Sequence, residues 1–122
     1  MNVLYVTSEL PGQGSTALCY SIANLSRKGG LNVKIAKIIS SMPTRDLASN
    51  NYEKLFPQDQ NGLSVLLLNE ASRELKDLAK SCDLLLVEAE TSISLEDQKN
   101  CLSDANAEVV VVSDYVNGTL CA

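Results

Sequence analysis

A chain of 122 residues is long enough for one compact domain and leaves little room for a second. Its 45% apolar content supports a real core, while fifteen acidic against ten basic side chains, a formal net charge of −5, exclude the clustered basic face of a non-specific nucleic-acid binder. The absence of histidine excludes Ser-His and Cys-His catalysis within one chain, and a single Phe with no Trp leaves little to stack on nucleobases.

The first element is a short apolar run, Val3 to Thr7, that reads as a buried strand. A turn-rich segment follows, Ser8-Glu9-Leu10-Pro11-Gly12-Gln13-Gly14, and from Ser15 to Lys28 the residues Leu18, Ile22 and Leu25 recur at helical spacing. Gly29-Gly30 supplies the left-handed stop expected after a helix. Asn32 to Ile39 reads as a second strand, so the chain opens as a parallel βαβ unit. The polar stretch from Ser40 to Gly62 carries Pro43 and Pro57, and within it Thr44 to Leu55 is compatible with a short helix. Leu63 to Ser81 is ambiguous. Val65-Leu66-Leu67-Leu68 looks like a strand, yet Leu67, Ala71, Leu75, Leu78 and Ala79 continue at helical spacing, which favours one helix over most of the span because a strand leaves no turn before Asn69-Glu70. Asp83 to Glu88 is a buried strand, Leu95 to Ala105 a helix, and Glu108-Val109-Val110-Val111-Val112 the strongest strand of all. Continuous apolar strands separated by helices predict a three-layer α/β/α domain whose mainly parallel sheet is covered on both faces.

Cys19, Cys82, Cys101 and Cys121 form no C-x-x-C pair, and without histidine a zinc site would need all four thiolates from scattered positions. The first three read as small core residues with reduced thiols, and Cys121 falls in the terminal tail. The apolar run after Met1 lacks the basic flank of a signal peptide, and no run approaches the roughly 20 residues that span a bilayer. A cytoplasmic protein without a membrane or nucleic-acid partner is the expectation.

In an open parallel sheet, ligands bind beyond the carboxyl ends of the strands, and a helix N-terminus there favours anions. The loop from Ser8 to Ser15 occupies that position. Laid over the phosphate-binding pattern G-x-x-x-x-G-K-[ST], Gly14 is the second glycine and Thr16 the hydroxyl residue, whereas Glu9 replaces the first glycine and Ser15 the lysine. Gly12, Gln13, Gly14, Ser15 and Thr16 are thus the candidate anion cradle. A serine donates a neutral hydrogen bond but brings no charge to a transferring phosphoryl group.

With the later segments added, the chain resembles the dethiobiotin-synthetase-like branch of P-loop NTPases, and especially such domains in phosphotransacetylase-related proteins. Four stretches carry the likeness, 4–18, 33–39, 82–89 and 107–115, and their order along the chain is more specific than any one of them. The resemblance implies a single P-loop domain over 1–122, truncated relative to the full synthetase. It implies that Lys37, at the end of the second strand, reaches toward phosphates or substrate, and that Glu88 and Thr16 lie near magnesium. Ala89 stands where the family has glycine after that glutamate. The implied cofactors are ATP and magnesium, weakly held.

Each site residue also has a plainer reading. Lys37 can be a solvated charge, Glu88 a strand terminator, Asp83 a surface turn residue and Glu90 a solvated loop carboxylate; Asp114-Tyr115 faces either a ligand cleft or an interface. The leading functional expectation is a non-catalytic or regulatory P-loop-type domain that binds a nucleotide or another anion weakly. A structural interaction module comes next, and an ATP-dependent dethiobiotin-synthetase-like ligase last. A homodimer, or a partner domain, is expected because a domain this small gains by burying a face.

Overall fold

The computed structural model describes residues 2–8, 15–40, 63–90 and 92–112. The strands are β1 (Val3–Ser8), β2 (Val33–Ile39), β3 (Leu63–Leu67), β4 (Leu84–Ala89) and β5 (Glu108–Val112), and the helices are α1 (Ser15–Lys28), α2 (Leu68–Lys80) and α3 (Leu95–Ala105). All strand pairs are parallel, in the order β3-β2-β4-β1-β5. The α/β architecture with a parallel sheet is therefore as the sequence predicts.

The strand order dictates the layers. The chain crosses from β1 to β2 in one direction and from β3 to β4 and on to β5 in the other. Right-handed crossovers must then put α1 on one face of the sheet and α2 and α3 on the opposite face. The packing agrees. Cys19 and Ala23 of α1 meet Val6, Ile35 and Leu86, whereas Ala71 and Leu75 of α2 and Cys101 and Leu102 of α3 meet Tyr5, Ile38, Leu85 and Val87. Alternate residues of β1 and β4 thus serve opposite cores, as the period of a strand requires. The Tyr5 hydroxyl donates to Gln98 Oε1, which ties β1 to α3.

Helix α1 has the predicted bounds and stop. Gly30 has φ of 92°, and the amides of Gly29, Gly30 and Leu31 donate to the carbonyls of Leu25, Arg27 and Ser26, closing the last turn. Of the predicted stripe, Leu18 and Ile22 pack partly buried against the core while Leu25 is exposed, and the fully buried residues are Cys19 and Ala23. Helix α3 begins at Ser94, whose Oγ accepts from the Asp97 amide, and ends at Asn106 in the left-handed conformation with φ of 55°.

One assignment is corrected. Residues 63–67 are strand β3, and α2 starts at the very next residue. Leu67 keeps extended backbone, with φ of −74° and ψ of 143°, and caps the helix without a side-chain hydrogen bond. No turn is needed because the switch occurs across one residue. Pairing of Leu63–Leu67 with Ile35–Ile39 of β2 decides the conformation there, over the helical spacing of the side chains. The possible helix at Thr44 to Leu55 lies outside the described residues.

The strongest predicted strand, β5, is at one edge among the described strands, and Val109 and Val111 are exposed rather than covered. Asp83 is exposed as expected, but its Oδ2 accepts the Asn32 amide at 2.7 Å and so anchors the start of β2 beside β4. Cys19 and Cys101 are buried, Cys82 is half-buried, and all three are free thiols. No helix among the described residues is long and apolar enough to cross a membrane.

Candidate functional site

The carboxyl ends of β1, β2 and β4 and the amino end of α1 meet at one edge of the sheet. Thr16, in the first turn of α1, donates from Oγ1 to Glu88 Oε1 at 2.9 Å. Lys37 of β2 stands in register opposite Glu88 of β4. Three residues that lie far apart in the sequence, Thr16, Lys37 and Glu88, are thereby brought together.

Glu88 is only 4% exposed and is the one buried charged side chain among the described residues. A carboxylate out of water is costly unless hydrogen-bonded or paired, so its retention at the end of a strand calls for partners. The Thr16 hydroxyl is one of them. Cys19, one turn along α1, reports both charges. Burial chiefly pushes its thiol upward, the Glu88 charge adds to this, and Lys37 opposes it. A thiol raised in this way stays protonated and acts as a small hydrophobe.

Glu90 is not a freely solvated loop carboxylate. Its Oε2 accepts from the Ser40 amide at 2.9 Å and from Ser40 Oγ at 2.8 Å, joining the residue after β2 to the residue after β4. The Ser40 amide bond is the leading cause that lowers the Glu90 pKa; hydroxyl bonds from Ser40 and Ser92 and the Lys37 charge add to it, against a smaller opposing effect of burial. A depressed carboxyl pKa means that this clasp stabilises the fold above the ordinary glutamate range and is lost as pH falls through the lowered value. In an acid titration followed by NMR, the Ser40 amide shift is expected to move at lower pH than the ordinary glutamate value. A midpoint at the ordinary glutamate value would mean that the clasp does not form.

Of the predicted cradle, Gly12, Gln13 and Gly14 lie outside the described residues, and Ser15 is described only as the first residue of α1. Sequence reasoning missed Ser40. Its signal becomes visible only once β2 and β4 are known to be neighbours, since each partner directly follows its strand. A separate open cleft of about 660 Å³ lies between α2 and α3, lined by Ser40, Asn69, Asp97 and Asn100 among others. Thr16, Lys37 and Glu88 do not line it. Among the described residues, no group of three or more His, Cys, Asp or Glu could hold a metal by itself.

No protein-family model matches the chain. No curated protein sequence matches it. Among solved structures, the kinase domain of the Escherichia coli tyrosine kinase ETK is similar over 99% of this chain and 71% of that one, with 12% identity and a TM-score of 0.44.

Proposed function

We propose that the chain is a P-loop-type domain of dethiobiotin-synthetase-like build that binds a nucleotide or another anion weakly, together with magnesium, and does not turn it over. The observation that carries this reading is the Thr16–Glu88 hydrogen bond beneath the carboxyl edge, with Lys37 in register beside it. Magnesium is a hard cation that takes oxygen ligands, and a hydroxyl and a carboxylate 2.9 Å apart fit that demand. When bound, it would neutralise phosphate charge. The amino end of α1 brings its first amides, which have no partner within the helix, to the same region, and Lys37 brings a cation.

The absence of turnover rests on Ser15, which occupies the position of the phosphate-binding lysine, and on the lack of any histidine. The ligase reading would need that charge from elsewhere. A second reading, an interaction module, is favoured by one observation: Val109 and Val111 are 58% and 54% exposed on an edge strand. The two are separated by titrating the protein with ADP and with ATP in magnesium. Binding is expected, with Thr16→Val and Lys37→Ala each weakening it about tenfold, the size of a lost hydrogen bond to a charged group, and with no phosphate released. Affinity unchanged in both variants would remove this site from consideration.

A further inference from the structure

Strand β4 leaves the sheet through a short turn into α3, and that turn is tied down along its length. The Glu90 amide donates to the Ile38 carbonyl at 2.8 Å, and the Ile93 amide donates back to the Glu90 carbonyl at 3.0 Å. Ile93 itself is buried in the core beneath α2 and α3. Its carbonyl accepts from Gln98 Nε2 at 2.8 Å, while Gln98 Oε1 accepts from the Tyr5 hydroxyl of β1. Burial chiefly pushes the Tyr5 pKa upward, so the hydroxyl stays protonated as a donor. One side-chain amide thus joins β1 to the turn. A glutamine carries donor and acceptor on a single planar group, which neither a carboxylate nor an ammonium can match. The start of α3 does not require this bond. Ser94 already caps the helix through its Oγ, and its carbonyl takes the Gln98 backbone amide at 3.0 Å.

We propose that Gln98 is a positioning residue for the carboxyl edge: by tying Ile93 to β1 it fixes the turn after Glu88, and so holds Glu88 and Glu90 where Thr16 and Ser40 meet them. The inference rests on the nucleotide reading above and adds to it the support of the same site. Glu90 follows Glu88 by two residues, with Ser40 on its carboxylate and Ile93 on its carbonyl. A buried carbonyl deprived of its donor is costly, and the turn shifts to satisfy it, taking Glu90 along. Gln98 touches no candidate ligand atom; it acts through the backbone.

The test uses the full chain and Gln98→Met, which keeps the length and neutrality of the side chain and removes both hydrogen bonds. A thermal melt establishes that the variant is folded. Calorimetry with ADP in magnesium is expected to show affinity about tenfold below wild type, the lower end of what loss of a supporting contact behind a metal site produces. In an acid titration followed by NMR, the Ser40 amide midpoint is expected to rise toward the ordinary glutamate value. Lys37 and Ser92, which also act on Glu90, are unchanged in this variant. Tyr5→Phe removes only the tie to β1 and is expected to move both readouts the same way by less; it decides the matter if Gln98→Met does not fold. A purely structural glutamine would lower the melting temperature and leave both readouts at their wild-type values. Unchanged ADP affinity in the folded variant overturns the inference and leaves the nucleotide reading intact. If the wild type binds no ADP, the nucleotide reading fails, and the Ser40 midpoint alone decides whether Gln98 holds the turn.

Discussion

Glu88→Gln is expected to lower magnesium-dependent nucleotide affinity at least about a hundredfold while the domain stays folded. The amide is nearly the shape of the carboxylate, and its oxygen can still accept from Thr16 Oγ1. What disappears is the negative charge that a hard cation requires. The side chain is almost fully buried, so the amide nitrogen must settle among groups arranged for an acceptor. That mismatch costs about 1–3 kcal/mol, small beside the stability of a typical domain. Calorimetry gives the affinity, and a thermal melt gives the second quantity. If binding survives, Glu88 serves only to join α1 to β4, and the plainer reading of it as a strand terminator is right.

Leu86→Ala is expected to be among the most damaging single changes. Leu86 is completely buried in β4, flanked by β1 and β2, and lies under Cys19 and Ala23 of α1. Truncation removes apolar contacts and leaves a cavity that a sheet with neighbours on both sides cannot close. The cost is about 3–5 kcal/mol, and for a domain of this size roughly 10–20 °C in Tm. Val109→Ala on β5 supplies the contrast, since Val109 is more than half exposed and its loss should stay within about 0.5 kcal/mol. Urea denaturation distinguishes them. Equal losses at the two positions would mean that β5 is covered in solution and that β4 is not the centre of the core.

The elements legible in the sequence are those in which local pattern and tertiary need agree. Helix α1 shows its end through Gly29-Gly30, and β4 is a plain apolar run. The signal fails where the two disagree. At Leu63 to Leu67 the spacing suggests a helix, but pairing with β2 makes a strand, and the break at Leu67 carries no glycine, proline or capping side chain to mark it. Leu25 shares the period of Leu18 and Ile22, which do pack against the core, yet it is exposed; the small residues Cys19 and Ala23 lie innermost, which lets α1 sit close to the sheet. The run of valines in β5 reads as an interior strand, and nothing in its composition indicates an edge.

For the site, the residue types were readable in the chain, and their meeting was implied only by the family resemblance. Lys37 and Glu88 stand out only through the family pattern, each with an ordinary surface or strand-end alternative, and Thr16 through the phosphate-binding motif. Parallel pairing of β2 with β4 puts Lys37 opposite Glu88, and the crossover through α1 carries Thr16 to the same carboxylate. Glu90 was misjudged because its partner, Ser40, is fifty residues away in the sequence.

The decisive measurement is an NMR titration of the isotope-labelled protein with magnesium and ADP. The expected result is a set of amide shifts concentrated at Thr16, Lys37 and Glu88 and extending to Ser40 and Glu90, with Asn32 and Ser81 at the opposite edge unmoved. Shifts confined to β5, or none up to millimolar ligand, would contradict a nucleotide site at the carboxyl edge.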